Sequence, residues 1–156
     1  MTSNLAVSNR RMPPLLVVED SNEDFEALQR LLARLPLTIP IQRCINGDQA
    51  LACLYRTGAY EDHQLPRPGL IMLDLNLPGT DGREVLRRIK QEKMLKEIPI
   101  VIFTTSSNPQ DIEDCYQYGV NSYIIKPINF AQLKRDVQVI VDYWFVVTTL
   151  PSDLED

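Results

Sequence analysis

The sequence predicts an α/β protein: a doubly wound parallel sheet covered by helices on both faces. Short apolar runs alternate five times with stretches of helical period. Runs such as LLVV and LIML are apolar at every position, as strands buried on both faces are, rather than alternating as half-exposed strands do. The segments between runs are long enough for helical crossovers, which join parallel strands with right-handed connections.

The first strand is LLVVE, Leu15 to Glu19, and it ends in acids. A helix follows at once in SNEDFEALQRLLARL, with Phe25, Leu28, Leu32 and Leu35 on one face and Ser21 or Asn22 available as its cap. IPIQRCI is a second, weaker strand. Asp48 to Arg56 reads as a helix stopped near Gly58, and a long loop runs from Ala59 to Pro68. LIMLD is the third strand. Gly82 to about Glu92 carries Val85, Leu86 and Ile89 on one side with basic residues opposite, the pattern of a helix lying on a sheet. IPIVIFTT is the fourth strand, Asn108 to Tyr118 a helix stopped at Gly119, SYIIK the fifth strand, and Asn129 to about Val147 a long final helix. No internal repeat competes with this reading. The chain divides into an N-terminal tail (1–12), one domain (13–148) and a C-terminal tail (149–156).

Composition narrows the function. A net charge of −5 and a pI near 4.9 argue against a nucleic-acid binder, which needs clustered Lys and Arg. No apolar run is long enough to cross a bilayer, and the leader MTSNLAVSNRRMPP lacks the apolar block of a secretory signal, so a cytoplasmic protein is expected. Cys44, Cys53 and Cys115 form an odd set without CxxC spacing and read as reduced structural thiols. The only histidine, His63, falls in the polar segment YEDHQLPRP and reads as a solvated loop residue.

In an open parallel sheet the ligand crevice lies beyond the carboxyl ends of the strands. Glu19 and Asp20 close the first strand, Asp74 the third, Thr104 the fourth and Lys126 the fifth, so all five should gather at one rim. Carboxylates about 4 Å apart repel by roughly 4 kcal/mol per pair at an effective dielectric of about 20. A divalent cation is an economical neutraliser, and an all-oxygen donor set without His or Cys suits Mg²⁺ or Mn²⁺ better than zinc. Helix capping competes as an explanation of Asp20, but the loop holding Pro78, Gly79 and Gly82 separates Asp74 from the next helix. A carboxylate beside a bound cation and a lysine can act as a nucleophile toward a phosphoryl group, with Thr104 as a hydrogen-bond donor to it. Lys126, followed by Pro127, must leave the sheet at that rim.

VVED, LDLNLPGTDG, IFTTS and YIIKP, in this order on alternating elements, together resemble the receiver domain of two-component response regulators. The resemblance implies the flavodoxin-like strand order 2-1-3-4-5. It implies that Asp74 accepts a phosphoryl group from a phosphohistidine on a sensor histidine kinase. It further implies that Glu19, Asp20, Asp74 and the carbonyl of Asn76 hold Mg²⁺, Glu19 directly or through water. Lys126 would pair with the phosphate, Thr104 would move to bind it, and Tyr123 would act as the aromatic rotamer switch. The Lys126–Pro127 bond is typically cis in such domains. Glu19 departs from the commonest pattern, which has aspartate there.

The protein would then be a signalling receiver, not an enzyme with a small-molecule substrate, although it takes part in its own phosphorylation and dephosphorylation. Only TTLPSDLED follows the receiver pattern, so output through contact with another protein is expected. The long loop with PRPGLIMLDLNLPGTDGREVLRRIK and the final YWFVVTTLP are similar to cyanobacterial phytochrome-associated response regulators, which points to a phytochrome kinase as partner. In the last helix Leu133, Val137, Ile140 and Trp144 form one apolar stripe and Val139, Tyr143 and Val146 a second. One stripe suffices for the sheet, so a homodimer through this helix and its extension is expected. Among rivals, a haloacid-dehalogenase-like phosphatase needs a second aspartate two residues after the nucleophile, where this chain has Asn76. A flavodoxin-type flavin site is opposed by the anionic rim, and a pseudo-receiver would lack the acceptor, lysine or acids.

Overall fold

The computed structural model describes residues 11–62 and 66–154. His63 and most of the expected N-terminal tail lie outside the described residues. Five strands form one parallel sheet: β1 (Leu15–Val18), β2 (Ile41–Cys44), β3 (Leu70–Leu73), β4 (Ile100–Thr104) and β5 (Ser122–Ile125), in the order β2-β1-β3-β4-β5. The direction of every pairing and the reversal of order at β1 and β3 match the expectation.

Five α-helices connect or follow the strands: α1 (Asn22–Ala33), α2 (Gly47–Tyr55), α3 (Gly82–Gln91), α4 (Pro109–Gln117) and α5 (Phe130–Val141). Each begins at a side-chain cap, respectively Ser21, Asn46, Asp81, Asn108 and Asn129, whose oxygen accepts an amide of the first turn. After β1 and β2 the cap follows within three residues, whereas a longer loop, residues 74–81, leads from β3 to α3.

Strand alternation divides the core into two layers. Leu16 and Val18 of β1, Ile71 and Leu73 of β3, and Ile100 and Ile102 of β4 pack toward α2, α3 and α4. Leu15, Val17, Leu70, Met72, Val101 and Phe103 face the other way, toward α1 and α5. Burial on both faces explains why β1 and β3 are apolar at every position.

The structure differs from the expectation in four places. The left-handed residue ending α2 is Arg56, at φ 56°, ahead of the expected stop at Gly58. Gly58 instead opens a short 3₁₀ turn, Gly58–Tyr60, inside the stretch expected to be all loop. The long final helix is two elements, because α5 passes at Val141 into a π-helical turn, Asp142–Val147. The wider turn rotates the side chains, so Phe145 is fully buried while Trp144 is only partly so. Lastly, no cis peptide occurs among the described residues, and the Lys126–Pro127 bond is trans. The isomers of an X–Pro bond differ by only about 0.5–1 kcal/mol, so a family tendency does not dictate the choice.

Leu150 is buried beyond the π turn. A Cβ at Gly69 would stand 2.5 Å from the Pro13 ring and 3.0 Å from Leu150, so only glycine lets these two ends of the fold close over β3. No described helix is long and apolar enough to cross a membrane.

Candidate functional site: an acidic rim around Lys126

Backbone hydrogen bonds align the strand ends. The amide of Glu19 donates to the Cys44 carbonyl at 3.0 Å, that of Asp74 to Val18 at 3.1 Å, and that of Lys126 to Thr104 at 2.7 Å. These bonds bring Glu19, Asp20 and Asp74 together, with one carboxylate oxygen from each lying within 4.8 Å of the others. Glu19 and Asp74 are buried and Asp20 is exposed. Gly82 seats the loop that follows β3: a Cβ there would lie 2.1 Å from the Asp74 carbonyl oxygen, a collision with backbone that cannot relax cheaply.

Lys126 enters this group from β5. Its ammonium donates to Glu19 Oε2 at 2.6 Å, Asp24 Oδ2 at 2.9 Å and Asp74 Oδ2 at 3.1 Å. Asp24 was not singled out from the sequence; it lies in the first turn of α1, where an acid is ordinary, and nothing local marks it as reaching a lysine 102 positions away. Below the ammonium lies a cavity of about 70 Å³, with Glu19, Asp74 and Lys126 at its polar end and Leu28, Met72 and Phe103 among its apolar walls.

The electrostatics are unequally satisfied. Burial raises the Glu19 pKa above the ordinary carboxylate value, and the neighbouring Asp74 charge adds to this, while Lys126 and the Ser21 amide oppose it. Burial alone would lower Lys126, but the hydrogen bonds to Glu19 and Asp24 and the field of Asp74 outweigh it and raise its pKa. One ammonium thus answers three acids, Glu19, Asp24 and Asp74, and Asp20 adds a fourth carboxylate beside Glu19 and Asp74. The donor set is all oxygen and short of positive charge, which is what a divalent cation such as Mg²⁺ would complete.

Thr104 is fully buried at the end of β4, and its hydroxyl oxygen faces the Ser106 amide at 3.5 Å. Tyr123 lies half-buried against the core, its hydroxyl donating to the Ser106 carbonyl at 2.8 Å. The Ser106 hydroxyl donates to Asp111 at 2.6 Å, and Asp111 pairs with Arg83 at 2.8 Å. Arg83 also pairs with Asp81, the α3 cap, at 2.9 Å. A hydrogen-bonded chain therefore runs from Tyr123 through the loop after Thr104 to α3. Asn76 is exposed, and its amide donates to Asp74 Oδ1 at 3.3 Å.

The family profile of the response regulator receiver domain matches residues 15–138. The chain belongs to that family. The receiver is 42% identical over 148 residues to the response regulator Rcp1 of Synechocystis sp., covering 94% of this chain and 99% of Rcp1. Its fold superposes on the crystal structure of the phosphorylated cyanobacterial phytochrome response regulator RcpA with a TM-score of 0.85 and 40% identity, covering 90% and 99% of the two chains. The Mn²⁺-bound form of Rcp1 gives a TM-score of 0.84 at 42% identity, covering 89% of the receiver and 99% of that chain.

Proposed function

We propose that this receiver accepts a phosphoryl group on Asp74 from a phosphohistidine of a sensor histidine kinase, and that the kinase is a phytochrome. The observation that carries the reading is Asp74 Oδ2 held 3.1 Å from Lys126 Nζ within the cluster of three rim acids. The similarity to RcpA and Rcp1 supports the phytochrome assignment.

In this reading an Asp74 carboxylate oxygen attacks phosphorus. A P–O bond forms as the P–N bond to imidazole breaks, and the leaving nitrogen keeps the electron pair and takes up a proton. Lys126 exchanges its contact with Asp74 for one to a phosphoryl oxygen, remaining anchored by Glu19 and Asp24. The Thr104 hydroxyl donates to the new phosphoryl group, and Tyr123, anchored on the loop two residues beyond, reports the change. Glu19, Asp20, Asp74 and the Asn76 carbonyl would hold Mg²⁺, with Mn²⁺ as a substitute. The cation would supply charge compensation for the phosphoryl oxygens.

Incubation with phosphorylated phytochrome kinase and Mg²⁺ should label the native chain to about one phosphoryl group and leave Asp74→Asn unlabelled. Labelling that survives the substitution would move the acceptor elsewhere. Equal transfer from an unrelated histidine kinase would remove the phytochrome assignment while keeping the receiver.

Signalling then proceeds through protein contacts of a cytoplasmic domain spanning residues 13–148. We also infer a homodimer through α5 and its extension, supported by the large apolar side chains Val139, Tyr143, Val146 and Val147, each of which is exposed. Sedimentation should show a dimer that Val139→Glu weakens; a strict monomer at micromolar concentration, with and without phosphorylation, would refute it.

A further inference from the structure

The loop between β3 and α3, residues 74–81, carries both Asp74 and Asn76, so its path decides where the acceptor carboxylate and the Asn76 carbonyl stand. Leu75 and Leu77 pin it from below, where both are buried in the core, and the Gly82 amide closes it by donating to the Leu75 carbonyl at 3.0 Å. Asn76, Pro78 and Gly79 form its exposed crest.

The start of α2 holds that crest from the side. The Gly47 amide donates to the Pro78 carbonyl at 3.4 Å, and a Cβ at Gly47 would collide with the Thr80 carbonyl oxygen, so the helix begins directly against the loop backbone. The next residue, Asp48, reaches across: its Oδ1 accepts the Thr80 hydroxyl at 2.5 Å. A Cβ at Gly79 would collide with its other oxygen, and Gly79 has φ 71°, so glycine there serves both the turn and the close approach of the carboxylate. Asp48 is not needed to start its own helix. Asn46 Oδ1 accepts the Gln49 amide at 2.7 Å and Gln49 Oε1 accepts the Ile45 amide at 3.0 Å, a reciprocal pair of the capping-box kind that furnishes the helix start without it. Its carboxylate therefore serves the loop.

We propose, on the reading that Asp74 and the Asn76 carbonyl hold Mg²⁺, that Asp48 is a positioning residue of the cation site: by holding Thr80 it fixes the loop so that both groups face the same ion. It acts through Thr80 and the backbone between Thr80 and Asn76, not by contact with the ion. A group hydrogen-bonded straight to a metal ligand typically tunes affinity about 10–100-fold. Asp48 stands further out, so loss of its bond should weaken Mg²⁺ binding by about three- to tenfold.

The test is Mg²⁺ titration calorimetry on the full chain, without a phosphodonor. Asp48→Ala and Thr80→Val each remove the bond, and each should weaken binding about three- to tenfold, with the double variant no weaker than either alone. Asp48→Asn loses the charge but keeps an oxygen to accept the Thr80 hydroxyl, so it should restore most of the affinity lost in Asp48→Ala. Weak binding in Asp48→Asn together with native binding in Thr80→Val would reduce Asp48 to a remote charge and overturn the proposal. Asp74→Asn, which removes a ligand, tests the cation site itself and should weaken binding more than any of these. Native affinity in Asp48→Ala beside weak binding in Asp74→Asn would overturn the role of Asp48 alone, whereas native affinity in Asp74→Asn would overturn the cation site and that role together. Thr80→Val changes a single half-buried hydroxyl, so a poorly folded Asp48→Ala leaves the test standing.

Discussion

The acidic rim and the Arg83 network are both clusters of ionised side chains at the carboxyl edge of the sheet, but they are balanced differently. Around Arg83 both acids, Asp81 and Asp111, contact the one guanidinium: Asp111 is held below the usual carboxylate range, first by Arg83 and then by the Ser106 hydroxyl, and Arg83 is raised in return. Around Lys126 the acids outnumber the ammonium, and burial drives Glu19 upward despite its contact. The two clusters differ above all in burial: Glu19 and Asp74 are buried beside Lys126, whereas Asp81 is exposed, so the deficit at the rim is the one that a divalent cation would fill.

The largest test of this contrast removes Lys126. Lys126→Met leaves Glu19 and Asp74 buried without their ammonium, and loss of one partner of a buried pair typically costs about 3–5 kcal/mol. Urea unfolding in chelator should show a loss of that order, with part recovered on adding Mg²⁺ because the cation binds only the folded state. No recovery with Mg²⁺ would separate the rim's charge deficit from metal binding.

Glu19→Gln should act in the opposite direction. Because the folded-state pKa of Glu19 lies above its ordinary value near 4.5, the native state holds the proton more tightly than the unfolded chain. Its contribution is fully present below that ordinary value and is lost as pH rises through the raised one. At neutral pH and without Mg²⁺, the substitution should therefore stabilise the fold and flatten the loss of stability as pH rises above the ordinary carboxylate range. It should also weaken Mg²⁺ binding, read by titration calorimetry. Destabilisation at neutral pH would mean that Lys126 already compensates Glu19.

The smallest effect belongs to the Arg83 network. A double-mutant cycle on Arg83→Ala and Asp111→Ala should give a coupling of about 0.5–1 kcal/mol, as partly exposed pairs do. It should change little with Mg²⁺, whereas the rim variants respond strongly.

Much of this was legible in the sequence because its signals are local. Val18 runs into Glu19 and Leu73 into Asp74, so apolar period and terminal acids together located the rim. Ser21 announced the start of α1 in the same way. What escaped depends on three-dimensional proximity or on competition between neighbours. Asp24 looks like an ordinary first-turn acid until β5 brings Lys126 above it. Arg56 takes the left-handed position because α2 ends two residues before the glycine best suited to it. Phe145 replaces Trp144 in the core through a change of helical pitch that period counting assumes away.

Ser106 gives Tyr123 a main-chain oxygen and Asp111 a side-chain hydroxyl. Two lines of communication thus pass through one residue on different atoms. Replacing the serine would remove the bond to Asp111 while the carbonyl that anchors the tyrosine persists, so heredity can alter one contact without touching the other.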